Sequence, residues 1–177
     1  METFFILPGL GNSGPDHWQS VWERSHPSFV RVEQDEWDSP KCEEWVARLE
    51  EYITRLDGCC LLISHSSSCA LVAHWALSAS PENLAKVHGA LLVAPSDPHG
   101  PCYPLGPTGF GPVPLRTLPF PTIVVASTND QYVTLDCARA YAHAWGSRMV
   151  ELENAGHINV ASGFGPWPEG MDLLKEL

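Results

Sequence analysis

Three side chains in this 177-residue sequence could together perform nucleophilic acyl transfer: Ser66 in Ser64-His65-Ser66-Ser67-Ser68, Asp130 in Thr128-Asn129-Asp130-Gln131, and His157 in Ala155-Gly156-His157-Ile158-Asn159. A serine hydroxyl is a weak nucleophile and needs a base within hydrogen-bond reach. That base in turn needs a carboxylate to fix its tautomer and stabilise the imidazolium. Each residue also has a plainer reading. Ser67 or Ser68 could simply cap a helix, Asp130 could close an Asx turn, and a lone histidine is usually a surface or core residue.

The elements that must carry these residues are legible around them. Cys60 to Ile63 is an unbroken apolar run, as in a strand buried on both faces of a parallel sheet, and Ala70 to Leu77 recurs at helical spacing. Strand, tight turn and helix make the setting of a nucleophile elbow, whose usual GxSxG here has serine in both glycine positions. Ser66 is the serine with small serines, Ser64 and Ser68, two away on both sides, ahead of the helical run. Thr3–Leu7, Phe29–Val32, His88–Ala94, Thr122–Ala126 and Met149–Leu152 supply further strands. Helices are expected over Asp16–Ser25, Glu43–Leu56 and Leu135–Trp145, with a terminal one near Met171–Glu176.

This alternation predicts a single α/β domain over residues 1–177, with about six parallel strands and helices on both faces. Sites in such sheets form at the carboxyl ends of strands, where Ser66, Asp130 and His157 all fall. The order Ser, Asp, His is the chain order of α/β hydrolases. Asp97, after the preceding strand, is a rival for the acid. Pro8-Gly9-Leu10-Gly11 follows the first strand, so the Leu10 N–H and the Ser67 N–H are the candidate oxyanion donors. Between Ser96 and Pro121 lie eight prolines and only two charged residues, which excludes helix. This stretch is either an apolar lid carrying Tyr103, Leu105 and Phe110, favouring a hydrophobic or aromatic substrate group, or a stiff connection replacing a crossover helix.

Composition narrows the function classes. A formal charge of −11 repels phosphate backbones and anionic membranes, so nucleic acid and membrane are poor partners. The six cysteines show no CxxC spacing, which points to buried thiols in a reducing compartment, and the amino terminus has no basic leader, so a cytoplasmic location is expected. Neither a metal motif (HExxH or Cys/His spacing) nor a nucleotide-phosphate loop is present. Nothing in the pattern specifies an oligomeric state.

The motifs PGLGNSGPDHWQS, EQDEWDSP, SHSSS, VVASTNDQYV, AGHIN and GFGPWPEG, spread over nearly the whole chain, resemble the small α/β hydrolases typified by retinoblastoma-binding protein 9. That resemblance implies a compact hydrolase fold and a triad on Ser66, Asp130 and His157. It also implies cofactor-free serine-hydrolase activity on small ester, amide or thioester substrates. The LxCxE motif that the family name implies is not matched: Leu135-Asp136-Cys137-Ala138-Arg139 ends in the opposite charge. The serines at positions 64 and 68 leave a second possibility, a relict site in a protein-binding module.

Overall fold

Apolar runs with no polar alternation must be covered on both faces, and the chain meets that demand with one parallel sheet between two helical layers. The computed structural model describes residues 2–177. Its strands are β1 (Thr3–Leu7), β2 (Phe29–Arg31), β3 (Cys60–His65), β4 (Val87–Val93), β5 (Thr122–Ser127) and β6 (Arg148–Leu152), in the order β2-β1-β3-β4-β5-β6. The α/β hydrolase sheet expected from the sequence is therefore present, with β3 and its turn near the centre.

Alternate residues of each strand enter opposite cores. Leu7, Leu62, Leu92 and Val124 pack under α2 (Cys42–Thr54) and α3 (Ser67–Ser78), where Trp45, Leu49 and Ile53 close the layer with Tyr141 and Trp145 of α5 (Leu135–Trp145). Ile63, Leu91, Val93 and Val125 face the other way, onto Trp18 and Trp22 of α1 (Trp18–Ser25) and onto Trp167 and Leu174 around α6 (Pro168–Leu173).

After the elbow helix Ser80-Pro81 starts a short helix, α4 (Pro81–Lys86), because Ser80 Oγ accepts the Asn83 N–H at 3.1 Å and proline suits the first helical position. The Ser96–Pro121 stretch is mostly the stiff connection. Phe110, Val113, Leu118 and Phe120 are buried in the same core as α2 and α3, and Phe110 meets Trp45 edge to face, at 5.5 Å between ring centres. Leu105, expected to face inward, is 100% exposed. Ser96, Tyr103 and Pro104 approach the carboxyl end of β3.

Candidate active site

Strand β3 delivers Ser66 at the point where α3 must begin, and the reversal forces Ser66 into φ 60°, ψ −125°. A non-glycine residue there costs on the order of 1–3 kcal/mol, held in place by the surrounding structure. Both elbow serines find polar contacts. Ser64 is fully buried with Oγ 3.4 Å from the Leu91 carbonyl, and Ser68 Oγ–H donates to the Pro8 carbonyl at 2.5 Å. Ser68 thus ties the elbow helix to the loop after β1, a bond glycine could not make. Gly9 lies so close beneath that a Cβ on it would sit 2.8 Å from Ser66 Cβ and 2.9 Å from the His65 carbonyl. Only glycine allows this approach.

The fold brings the three sequence-predicted side chains together. Ser66 Oγ lies 2.9 Å from His157 Nε2, and His157 Nδ1 lies 2.7 Å from Asp130 Oδ2. The carboxylate fixes the tautomer: Nδ1–H donates to Asp130, which leaves Nε2 to accept the Ser66 hydroxyl proton. The side chain of Asp130 is wholly buried, and its other oxygen accepts the Tyr132 N–H at 2.9 Å. Asp97 is not brought to His157. Its Oδ1 accepts the His99 N–H at 2.9 Å, and the carboxylate faces Cys137 and Tyr141, whose protons are held more tightly than usual by burial above all and, among lesser causes, by this carboxylate.

Asp130 meets His157 because their loops are stapled. Asn129 Oδ1 accepts the Ser127 hydroxyl at 2.9 Å and the Gly156 N–H at 2.7 Å, and Ser127 Oγ accepts the Ala155 N–H at 2.9 Å. Trp18 Nε1–H fixes the next residue through the Ile158 carbonyl at 2.9 Å. Helix α1, which reads from sequence as structural packing, therefore also positions the site. Gln19, fully buried, donates to the Leu7 and Ile63 carbonyls at 3.1 and 3.0 Å and accepts the Ser13 hydroxyl at 2.7 Å, clamping the ends of β1 and β3 to the glycine loop.

Beneath His157 lie two more imidazoles. His65 is buried, with its ring centre 4.9 Å from that of His157 and 4.8 Å from that of His17. Its Nε2–H donates to the His157 carbonyl at 2.9 Å. Desolvation, and then the neighbouring His157 and His17, push its pKa well below the ordinary histidine value, so the ring is neutral. Burial, and then the Arg31 guanidinium, lower His17 to about 4; its Nδ1 accepts the Gln19 N–H at 3.2 Å and caps α1.

Leu10 and Ser67, the candidate oxyanion donors, line one cavity of about 190 Å³ with Ser66, Ser96, Pro104 and His157. Ser67 opens α3, so its N–H is among those a helix leaves without an internal acceptor. Within the glycine loop the Gly11 and Asn12 N–H groups are used internally, bonding to the Trp37 and Gly9 carbonyls at 2.8 and 3.2 Å. Sequence reasoning missed Ser96. Its Oγ is 2.8 Å from Ser66 Oγ, and since the Ser66 proton is directed at His157, Ser96 is the donor to Ser66. From the proline-rich connection Ser96 and Pro104 line the cavity, while its large apolar side chains Phe110, Val113, Leu118 and Phe120 are spent in the core.

The sequence profile described as serine hydrolase matches residues 4–176. A YdeN-like hydrolase from Pectobacterium atrosepticum is 32% identical, with a TM-score of 0.86 over 99% of this chain and 90% of that one. The ydeN product of Bacillus subtilis is 18% identical, with a TM-score of 0.74 over 99% and 98%. The type II thioesterase BorB of the borrelidin biosynthetic cluster is 15% identical, with a TM-score of 0.66 over 99% and 91%, a likeness of fold alone. No curated protein matches the sequence.

Proposed function

Since this chain belongs to the serine hydrolase family, we propose that it hydrolyses small ester, amide or thioester substrates through an acyl-enzyme on Ser66. The observation that carries this reading is the continuous array from Asp130 through His157 to Ser66, with spacings of 2.7 and 2.9 Å. His157 Nε2 takes the Ser66 proton as Oγ attacks the acyl carbon, and the Leu10 and Ser67 N–H groups receive the oxyanion. The imidazolium then protonates the leaving group. Water, deprotonated by the same nitrogen, releases the acid and restores Ser66.

The size of the cavity bears on substrate. About 190 Å³ is little more than the roughly 150 Å³ that holds a benzene molecule, so the acyl part is compact. The motif likeness to hydrolases typified by retinoblastoma-binding protein 9 supports the same residue roles, and six free cysteines suit a reducing compartment such as the cytoplasm. Among the described residues, no helix is long and apolar enough to cross a membrane.

A p-nitrophenyl ester series from acetate to decanoate tests the reading. Expected is turnover that is highest for short acyl groups, falls at least tenfold by decanoate and is lost in Ser66→Ala. Turnover that rises with chain length would contradict the compact acyl site, and turnover surviving Ser66→Ala would contradict the nucleophile.

A further inference from the structure

At the opposite end of the sheet, three neighbouring strands each bring one metal-ligating residue to a common point. The pairing of Thr3 with Cys60 sets Glu2 beside Cys59, immediately before β1 and β3. On β4 the register runs from Cys60↔Val87 to Leu61↔Gly89, so His88 is the extra residue of a β-bulge. Bulges re-aim side chains, and this one turns the imidazole toward Glu2. The carboxylate oxygen, thiol sulfur and imidazole nitrogen all lie within 4.8 Å of one another.

We propose that Glu2, Cys59 and His88 form a Zn²⁺ site at the amino-terminal edge of the sheet, through one carboxylate oxygen, one thiolate and Nδ1, with water completing the tetrahedron. The spacing fits the ion. Nitrogen and oxygen ligands each about 2.0 Å from a tetrahedral zinc lie about 3.3 Å apart, and His88 Nδ1 is 3.3 Å from Glu2 Oε1. Cys59 Sγ stands 4.0 Å from the same oxygen and within 4.8 Å of the imidazole nitrogen, where zinc-bound pairs need about 3.5 Å, so the thiol must rotate inward on binding.

Chemistry selects the ion as well. A thiolate with an imidazole favours zinc over calcium or magnesium, which prefer all-oxygen sets. Cys59 is half-buried and reachable, whereas the adjacent Cys60 is fully buried in the core. On binding, the Cys59 S–H bond breaks, its proton passes to solvent and a Zn–S bond forms, with no change of oxidation state. An exposed histidine–carboxylate pair alone would be worth little. The thiol and the bulge are what such a pair does not need.

The site lies about seven residues of strand from Ser66, roughly 23 Å, so the ion takes no part in hydrolysis. It pins the starts of β1, β3 and β4 together, and binding to the folded chain raises its melting temperature.

Cobalt substitution tests this directly. Chelator-treated protein carrying Cys102→Ser, which removes the exposed thiol, is titrated with Co²⁺. Expected is a thiolate-to-cobalt charge-transfer band saturating at one equivalent and displaced by Zn²⁺. It should be lost in Cys59→Ser and at least tenfold weaker in His88→Ala, both variants retaining the parent's circular dichroism. Zn²⁺ should also raise the Tm of the parent and leave that of Cys59→Ser unchanged. Absence of the band, its survival in Cys59→Ser, or unaltered affinity in His88→Ala would overturn the site.

Discussion

His65 Nε2–H donates to the main-chain carbonyl of His157 across 2.9 Å, so the residue immediately before Ser66 holds the backbone of the imidazole that Ser66 must reach. The two halves of the proposed proton relay are thereby fixed to each other through a neutral, buried ring. His65→Leu keeps the volume but removes the donor, leaving a buried carbonyl unpaired at a cost of about 1–3 kcal/mol. We expect kcat to fall roughly tenfold with KM little changed, because a displaced base costs transition-state geometry rather than substrate contact. Steady-state kinetics on a short-chain ester checks this, and a change confined to KM would assign His65 to substrate binding instead.

The same histidines set an acid limit to stability. Both have folded-state values below the ordinary 6.5, His17 at about 4, so the unfolded chain binds more protons between those values. Stability is therefore fully present above about pH 6.5 and is lost as pH falls toward 4, His17 contributing on the order of 2–3 kcal/mol. Urea denaturation midpoints should drop across that window. His17→Asn, which keeps an acceptor for the helix cap, should flatten the dependence; an unchanged slope would mean that His17 does not carry it.

Ser96 Oγ lies 2.8 Å from Ser66 Oγ, the proposed nucleophile, and one hydrogen bond donated to it is worth about 1 kcal/mol. Ser96→Ala should lower kcat roughly fivefold without destabilising the fold, and Ser96→Thr, which keeps the hydroxyl, should recover most of the loss. Equal activity in all three proteins would show that the contact has no kinetic role.

Much of this site is written in local sequence. Strands β1 and β5 and helix α5 stand where apolar runs and helical spacing put them, and Ser66, Asp130 and His157 each follow a strand that a parallel sheet must end on one rim. What sequence does not reveal is pairing across long separations. Trp18 and Gln19 look like one face of a short helix, yet Trp18 holds the loop at Ile158, 140 residues away, and Gln19 bridges Leu7 to Ile63. Ser96 was hidden because its partner is fixed by the neighbour relation of β3 and β4, which no spacing encodes. Leu105 and Phe110 share one proline-rich stretch without periodicity, and nothing local tells which of them turns inward.

The most direct measurement is the site of covalent capture by a fluorophosphonate probe. The Ser66–His157–Asp130 array predicts a single stoichiometric adduct on the peptide containing Ser66, abolished in Ser66→Ala and strongly slowed in His157→Ala. An adduct on Ser67, Ser68 or Ser96 in the wild-type protein, or labelling that persists in Ser66→Ala, would contradict it.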